Sequence, residues 1–416
     1  MAVHEAGFRH LLLNEYAKRA CETLRANQAT ARTSEAHIPS RFDEKWPLVE
    51  GPVQDLDFEY LHRKVTLLAG GPPCQPFSLG GEHRGHEDER NMFPQFFKAL
   101  RQIQPEAFIC ENVRGLLRSS FRPYFEYILN ELRMPFVKRG TANWEEHNRK
   151  LAEHALVEPG TRKELRRRYV AFPIPVNAAD YGVPQIRQRV IIVGFRMDLG
   201  IDKDLWDKKF KPDASHSEAA LNQQLRDPDS DYWRRHADVP DEVKQRVISE
   251  TPAVDPNDKG LMLKPWRTLR DAIKGDPERD LGELPQDGLI NYEEHPSSPA
   301  PNHIGWPGAR IYAGHTPNVL DRAAKTVKAG VHGVPGGESV VLLDDGTHRY
   351  MTVRETARVM TFPDTWTPAG PRGEQMRQLG NAVPVLLGKR FAQAVADALQ
   401  AAPNRDLVDT EDGADA

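Results

Sequence analysis

Short apolar runs alternate with helically spaced apolar stripes through residues 1–196, and this alternation limits the fold more than any other feature of the chain. Residues 10–14 form a short apolar run, after which Ala17, Ala20, Cys21 and Leu24 fall at helical spacing. Residues 65–69 read as a buried strand ending in Gly70-Gly71-Pro72-Pro73. Phe93, Phe96, Phe97, Leu100 and Ile103 make the stripe of the next helix, and residues 107–110 make another strand. Phe121, Tyr124, Phe125, Ile128, Leu129 and Leu132 mark a further helix, and residues 190–195 a further strand. Strands and helices in turn predict an α/β domain with a mostly parallel sheet covered on both faces.

The pattern stops at residue 197. From there to residue 346 the chain is rich in Pro, Gly, Asp and Asn, with weak periodicity. Helical spacing returns in residues 352–360 and 385–399. The expected organisation is a first domain over 1–196, a smaller irregular domain over 197–346, a return to the first over 347–402, and an acidic, disordered tail over 403–416. Residues 144–168 are highly charged and read as an exposed helical insertion; the basic run 162–168 reads as a solvated helix face rather than a phosphate contact.

A chain of 416 residues has ample material for such a core. No apolar run is long enough to span a bilayer, and the first residues show no secretion signal, so a cytoplasmic protein is expected. Cys21, Cys74 and Cys110 are too widely spaced for a disulfide framework or a zinc site, and no metal is expected. The net charge of −4 gives no global basic footprint, so nucleic-acid binding would need a local basic cleft.

Four stretches carry chemistry. Cys74 lies in Gly70-Gly71-Pro72-Pro73-Cys74-Gln75-Pro76-Phe77-Ser78, directly after a strand, where α/β proteins place their sites. Its prolines argue for a stiff exposed turn rather than a core position, whereas Cys21 and Cys110 read as inert core thiols. Glu111-Asn112-Val113 follows the strand at 107–110, which sets a carboxylate just past a strand end; alone it reads equally as a cap or a solvated glutamate. Gln185, Arg187 and Arg189 alternate onto one side ahead of the strand at 190–195. Gln378-Leu379-Gly380-Asn381-Ala382-Val383-Pro384 reads as a turn with Asn381 near a helix start.

In content, order and approximate spacing these stretches resemble the DNA (cytosine-5)-methyltransferase family. Residues 349–363, from Arg349 through Arg354, Glu355 and Arg358 to Phe362 and Pro363, are similar to the segment that packs beneath the family's recognition domain. Leu13-Asn14-Glu15-Tyr16 resembles its acidic donor-binding motif and Asp55-Leu56 the next one, with Asp57 a close rival. The resemblance covers about residues 6–196 and 315–400; the part between corresponds to the family's variable target-recognition domain. It implies a Rossmann-like S-adenosylmethionine-dependent methyltransferase fold.

It also implies a mechanism. Cys74 would add to carbon 6 of a cytosine flipped out of double-stranded DNA, making carbon 5 nucleophilic towards the methyl of S-adenosylmethionine. Glu111, held protonated or sharing a proton with N3, would stabilise the charge there, and Arg189, with Arg187 the weaker candidate, would donate to the base's O2 or position the loop. Glu15 and Tyr16 would hold the donor's ribose region, Asp55 its adenine amine, and Asn381 would stand near the donor pocket. Gln75, Ser78, Gln185 and Thr326 are the expected DNA contacts, Thr326 in a segment similar to the core of the recognition domain. A cognate restriction endonuclease is a candidate partner, and a monomer is expected. Two other readings stay open: an RNA cytosine methyltransferase, and a weak or inactive DNA-binding member of the family.

The last expectation concerns the chain's start. The acidic ribose ligand stands about 20 residues after the glycine-rich turn in dinucleotide-type folds, so the turn paired with Glu15 should precede Met1. The family's glycine-rich loop normally lies just upstream of the segment resembling Ala6-Gly7-Phe8. The expectation is a sheet short of one central strand and a chain that binds its donor poorly.

Overall fold

The computed structural model describes residues 1–32, 38–73, 91–286, 289, 301–311, 316–329 and 339–405. Cys74, Gln75, Ser78, the glycines at 330, 333, 336 and 337, and tail residues 406–416 lie outside them. Strands β1 (Leu13–Glu15), β2 (Ala29–Ala31) and β3 (Trp46–Glu50) form an all-parallel sheet in the order β1-β3-β2. Strands β4 (Leu67–Gly70), β5 (Ala107–Val113), β6 (Tyr169–Asn177) and β7 (Gln188–Arg196) form a second sheet in the order β4-β5-β7-β6. β1 and β4 are therefore edge strands of their sheets.

The expectation of a mostly parallel sheet holds for β4 against β5 but not beyond. β7 runs antiparallel to both β5 and β6. β6 and β7 are joined by residues 178–187, too few for the crossover that a parallel pair needs. β6 escapes sequence reading because Pro173 and Pro175 interrupt it. Prolines are confined to edge strands, and β6 is the edge of this sheet.

The second sheet is buried on both faces. Val190 and Ile192 of β7 join Phe93, Phe96, Phe97 and Leu100 of α3 (Phe93–Ile103), and Ile128 and Leu132 of α4 (Arg122–Arg133). The alternate residues Ile191, Val193 and Phe195 meet Leu387, Phe391 and Val395 of the last helix (Val385–Gln400). Helix α1 (Ala2–Glu5) packs on that last helix, and α2 (Lys18–Asn27) follows β1.

The charged insertion is helical as expected. Helix α5 (Trp144–Ala155) starts at a capping box of Asn143 and Glu146, and α6 (Arg162–Leu165) at one of Thr161 and Glu164. The basic run is not wholly solvated, since Arg166 is buried against Asp198.

Residues 197–346 are more regular than their composition predicts. They hold α7 (Lys203–Leu205), α8 (Glu218–Arg226), α9 (Asp231–Arg235), α10 (Asp241–Glu250) and α11 (Leu269–Lys274). Short strands β8 (His216–Ser217), β9 (Lys264–Pro265), β10 (Asn318–Val319) and β11 (Val340–Leu342) accompany them, and β12 (His348–Tyr350) follows. Leu221, Leu225, Tyr232, Trp233 and Val243 give this region a core of its own. Helices this short complete too few turns for a periodicity to show. The chain then returns through α12 (Val353–Val359) and α13 (Arg372–Asn381) to α14, the last helix already described. Among the described residues, no helix is long and apolar enough to cross a membrane.

Candidate active site

Four strands carry the candidate residues at or beyond their carboxyl halves. β1, β3, β4 and β5 run parallel within their sheets, and the residues so placed are Glu15, the turn before Asp55, Gly70–Pro73 and Glu111. Open α/β sheets hold ligands at that edge. Glu15 ends β1, and its Oε1 accepts the N–H groups of Tyr16 and Ala17, both at 2.8 Å. Its carbonyl accepts from Gly51 N at 2.9 Å, which ties it to the end of β3. Tyr16 is 75% exposed.

Asp55 closes the 3₁₀ turn Val53–Asp55 and is exposed. Lys98 of α3 anchors that turn by donating to the carbonyls of Gln54 (3.2 Å) and Leu56 (2.5 Å). The rival Asp57 instead accepts from Gln102 Nε2 at 2.7 Å, which leaves Asp55 the more open carboxylate. Asn381 does not stand at a helix start: it is the exposed last residue of α13, because the chain breaks there before Pro384 caps α14. Thr23 of α2 donates to Gln378 Oε1 at 2.6 Å, so α13 lies beside the helix that follows Glu15.

The expectation that Glu111 lies past a strand end is corrected. β5 continues to Val113 because Glu111, Asn112 and Val113 pair with Ile191, Val190 and Arg189 of β7, beyond the point where β4 stops. Glu111 and Arg189 are thus diagonal neighbours on adjacent strands, and Arg189 Nε meets Glu111 Oε1 at 2.7 Å. Gly71 lies so close that a Cβ there would stand 3.2 Å from Glu111 Oε2. On the other side of the strand, Asn112 Nδ2 donates to Pro72 O at 3.0 Å. Met92 N donates to Pro73 O at 3.4 Å. The backbone entering and leaving residues 74–90 is therefore held against Glu111.

Burial pushes the Glu111 carboxyl above its ordinary range, although the charges of Arg189 and Arg187 pull it back. Burial likewise lowers Arg189, opposed by Glu111. The pair is a buried carboxyl held against a guanidinium. Cys21 and Cys110 are both buried, and burial, with Glu50 and Glu15 adding, pushes the Cys21 thiol up to about 11. A thiol held so is a poor nucleophile at neutral pH.

Arg187 is 1% exposed and faces away from solvent. Its Nη1 donates to Val327 O (2.9 Å), and its Nη2 to Gly380 O (2.7 Å) and Ala382 O (3.0 Å). Burial first, then Arg189's charge, lowers its pKa to about 9 against the pull of Glu111, so it stays charged at neutral pH. Arg187 thus clamps segments far apart in the sequence and serves the site by position. Gln185 is not a DNA contact: it is fully buried, with Oε1 accepting from Val327 N (3.1 Å) and Nε2 on Met360 Sδ (3.0 Å). The alternation that set it beside Arg187 also turned it inward. Thr326 donates to Ile186 O at 2.7 Å and is half-buried beside these residues.

Two residues with structural parts were missed. Asn112 pins the Pro72 carbonyl, and its place beside Glu111 in a strand, facing the opposite way, was the available signal. Gly380 presses so tightly on Lys328 and Ala329 that a Cβ would fall 2.4 Å from Ala329 N. Nothing near it in sequence announces that contact.

The clamp makes a prediction. Arg187→Met leaves buried carbonyls unpaired and should cost on the order of 3 kcal/mol in urea unfolding. Arg187→Lys should recover only part, because an ammonium cannot span acceptors on both sides as a planar fork does. Parental stability in Arg187→Met would refute the clamp.

The chain matches the family model for C-5 cytosine-specific DNA methylase over residues 1–134 and 167–397. It is 28% identical to the type II methyltransferase M.PspPI of Psychrobacter sp. (strain TA137) over 407 residues, covering 97% of this chain and 77% of the relative. It is 29% identical to the type II methyltransferase M.Eco47II of Escherichia coli over 399 residues, covering 95% and 75%. A crystal structure described as a DNA modification methyltransferase encoded within an E. coli prophage shares the fold, with TM-score 0.51 and 19% identity over 96% of this chain and 95% of that one. With nearly the whole chain matched, the protein belongs to the C-5 cytosine-specific DNA methylase family and is a DNA cytosine methyltransferase.

Proposed function

We propose that this enzyme methylates carbon 5 of cytosine in a specific double-stranded DNA sequence, through a covalent bond from Cys74 to carbon 6 of a base turned out of the duplex. The observation that carries the reading is the backbone just before Cys74, pinned by Asn112 and pressed by Gly71 on a buried carboxyl of raised pKa. Two peptide units, about 3.8 Å each between Cα atoms, separate Pro72 from Cys74, so the thiol and Glu111 can serve one base.

The Cys74 thiolate adds to carbon 6, and electron density moves onto the ring towards N3. Glu111 supplies a proton at N3 and prevents a full negative charge from building there. Arg189, oriented by Glu111 at 2.7 Å, donates to O2 of the base. S-adenosylmethionine, the family's methyl donor, supplies the electrophilic methyl group. The donor fits what stands at the strand ends: the Glu15 carboxylate suits ribose hydroxyls, the exposed Asp55 carboxylate suits an adenine amine, and Tyr16 and Asn381 are exposed nearby. Loss of the carbon-5 proton and departure of the Cys74 thiolate restore the aromatic ring.

Residues 197–346 would read the target, with Thr326 next to the clamped turn where the displaced strand passes. The type II designation of its relatives extends the proposal to a monomeric cytoplasmic enzyme that protects sites cut by a cognate restriction endonuclease.

Target duplex carrying 5-fluorocytosine should trap the adduct, because fluorine does not leave as a cation. Mass mapping should place it on Cys74, and Cys74→Ser should form none. Modification of Cys21 or Cys110 instead would remove the assignment.

The raised Glu111 pKa sets a pH dependence. If the protonated carboxyl donates at N3, single-turnover methylation should fall as pH rises through that pKa. Glu111→Gln should lose this alkaline limb and about 10²–10³ in rate. Unchanged turnover in the variant would make Glu111 structural.

Transplanting residues 197–346 onto a related catalytic domain should carry target choice with it, read by sequencing methylated cytosines. Retention of the host's target would defeat this division of labour.

A further inference from the structure

A cavity of about 440 Å³ opens between α3, α4 and the insertion, away from the Glu111–Arg189 pair. Its size is within the roughly 300–1,000 Å³ usual for small-ligand pockets. Phe97, Tyr124, Tyr127 and Trp144 wall it, and three of these rings interlock: Trp144 stands 5.5 Å from Tyr124 at 86° and 5.8 Å from Tyr127. Lys138, Arg139 and Trp144 come from residues 135–166, which the family match leaves out. The insertion thus supplies one wall of the cavity, and the matched helices α3 and α4 supply the rest.

The insertion is fixed rather than draped. His147 of α5 bonds Val137 O at 2.7 Å, and Asn130 of α4 donates to Asn148 at 2.9 Å. The capping box at Asn143 sets where Trp144 enters the helix. The cavity is therefore preformed, and binding need not order its walls.

Glu131 identifies what belongs inside. It is 4% exposed and lines the cavity. Its Oε1 accepts from the Tyr127 hydroxyl at 2.8 Å. His147 Nδ1 also stands 3.2 Å from Oε1, whereas Oε2 is buried without a hydrogen-bond donor among the described residues and meets Arg101 Nη1 only at 4.0 Å. A buried carboxylate oxygen left unpaired is costly, so a donor group is wanted at this point. The rim is basic, with exposed Lys138 and Arg139 and half-buried Arg101. A cationic ligand suits the rings and the carboxylate but not that rim. A flat heterocycle with an N–H donor at one end and an anionic group at the other suits all three.

We propose that this cavity binds a nucleoside 5′-phosphate: the base against the wall of rings with its amino edge turned towards Glu131 Oε2, and the phosphate at Lys138, Arg139 and Arg101. A free mononucleotide and an unpaired nucleotide of a single strand share this chemistry.

The test follows the Trp144 indole N–H signal of the full-length protein by NMR, assigned with Trp144→Phe, while AMP, CMP and GMP are titrated. The expected result is a saturable shift. The double variant Lys138→Ala, Arg139→Ala changes only exposed side chains and should weaken the mononucleotides roughly tenfold, the scale of a lost charge-assisted bond, while leaving the parent nucleosides unaffected. Glu131→Gln should change the ranking among the bases. Short single-stranded oligonucleotides that compete and bind more tightly than their mononucleotides identify a strand as the source; equal affinity identifies the free nucleotide. No shift at millimolar nucleotide, or a shift indifferent to both variants, overturns the proposal.

Discussion

Arg187 carries its charge to a position almost closed to solvent, and the carbonyls of Val327, Gly380 and Ala382 hold it there. Taking a guanidinium out of water costs several kcal/mol unless acceptors replace the water. Three acceptors from two distant segments meet that demand only if both segments come to β7. The residue just before β7 is thereby locked to the turn ahead of α14 and to the segment around Thr326. Gly380 has no side chain because Ala329 and Lys328 occupy the space, so the turn cannot back away. With its start fixed by this clamp, β7 presents Arg189 to β5 in a single register.

That register decides the electrostatics of the site. Coulomb attraction at 2.7 Å favours an ionised Glu111, and burial opposes it; burial wins and the carboxyl titrates above its ordinary range. A more exposed pair would lose this upward shift. A pair without Arg189 would leave a carboxyl with nothing to orient it. Asn112, one residue on and facing the other way, holds Pro72. A single stretch of strand therefore positions both the buried carboxyl and the backbone that enters residues 74–90.

Much of this was legible in the sequence because motif residues act locally. The strands β1, β4, β5 and β7 follow from apolar spacing in 1–196, and Glu15 closes β1 beside the expected run, whereas Glu111 and Arg189 lie inside strands that extend past the expected 107–110 and 190–195. What was missed depends on contacts across the chain. β6 hid behind Pro173 and Pro175, which only its place at a sheet edge makes tolerable. Gln185 shares its alternation with Arg189 but faces Val327 and Met360 rather than solvent. Spacing gives a residue its side of a strand; it does not say what will cover that side.

Covering is done here in a way that tolerates change. Arg354 of α12 donates to the carbonyls of Pro301, Pro363 and Trp366, and Arg358 to those of Ala272 and Gly282 while paired with Asp364. Arg187 does the same at Val327. Where residues 197–346 meet the rest of the protein, these arginines bind backbone oxygens, which every residue supplies. The acidic partners that balance them, Asp364 for Arg358 and Glu355 for the neighbouring Arg349, come from the returning segment itself. At these contacts the side chains of 197–346 can be exchanged without unpairing Arg187, Arg354 or Arg358, provided the backbone path is kept. A region free to change its side chains while keeping its backbone path needs a junction of this kind, and the buried arginines before β7 and on α12 provide one.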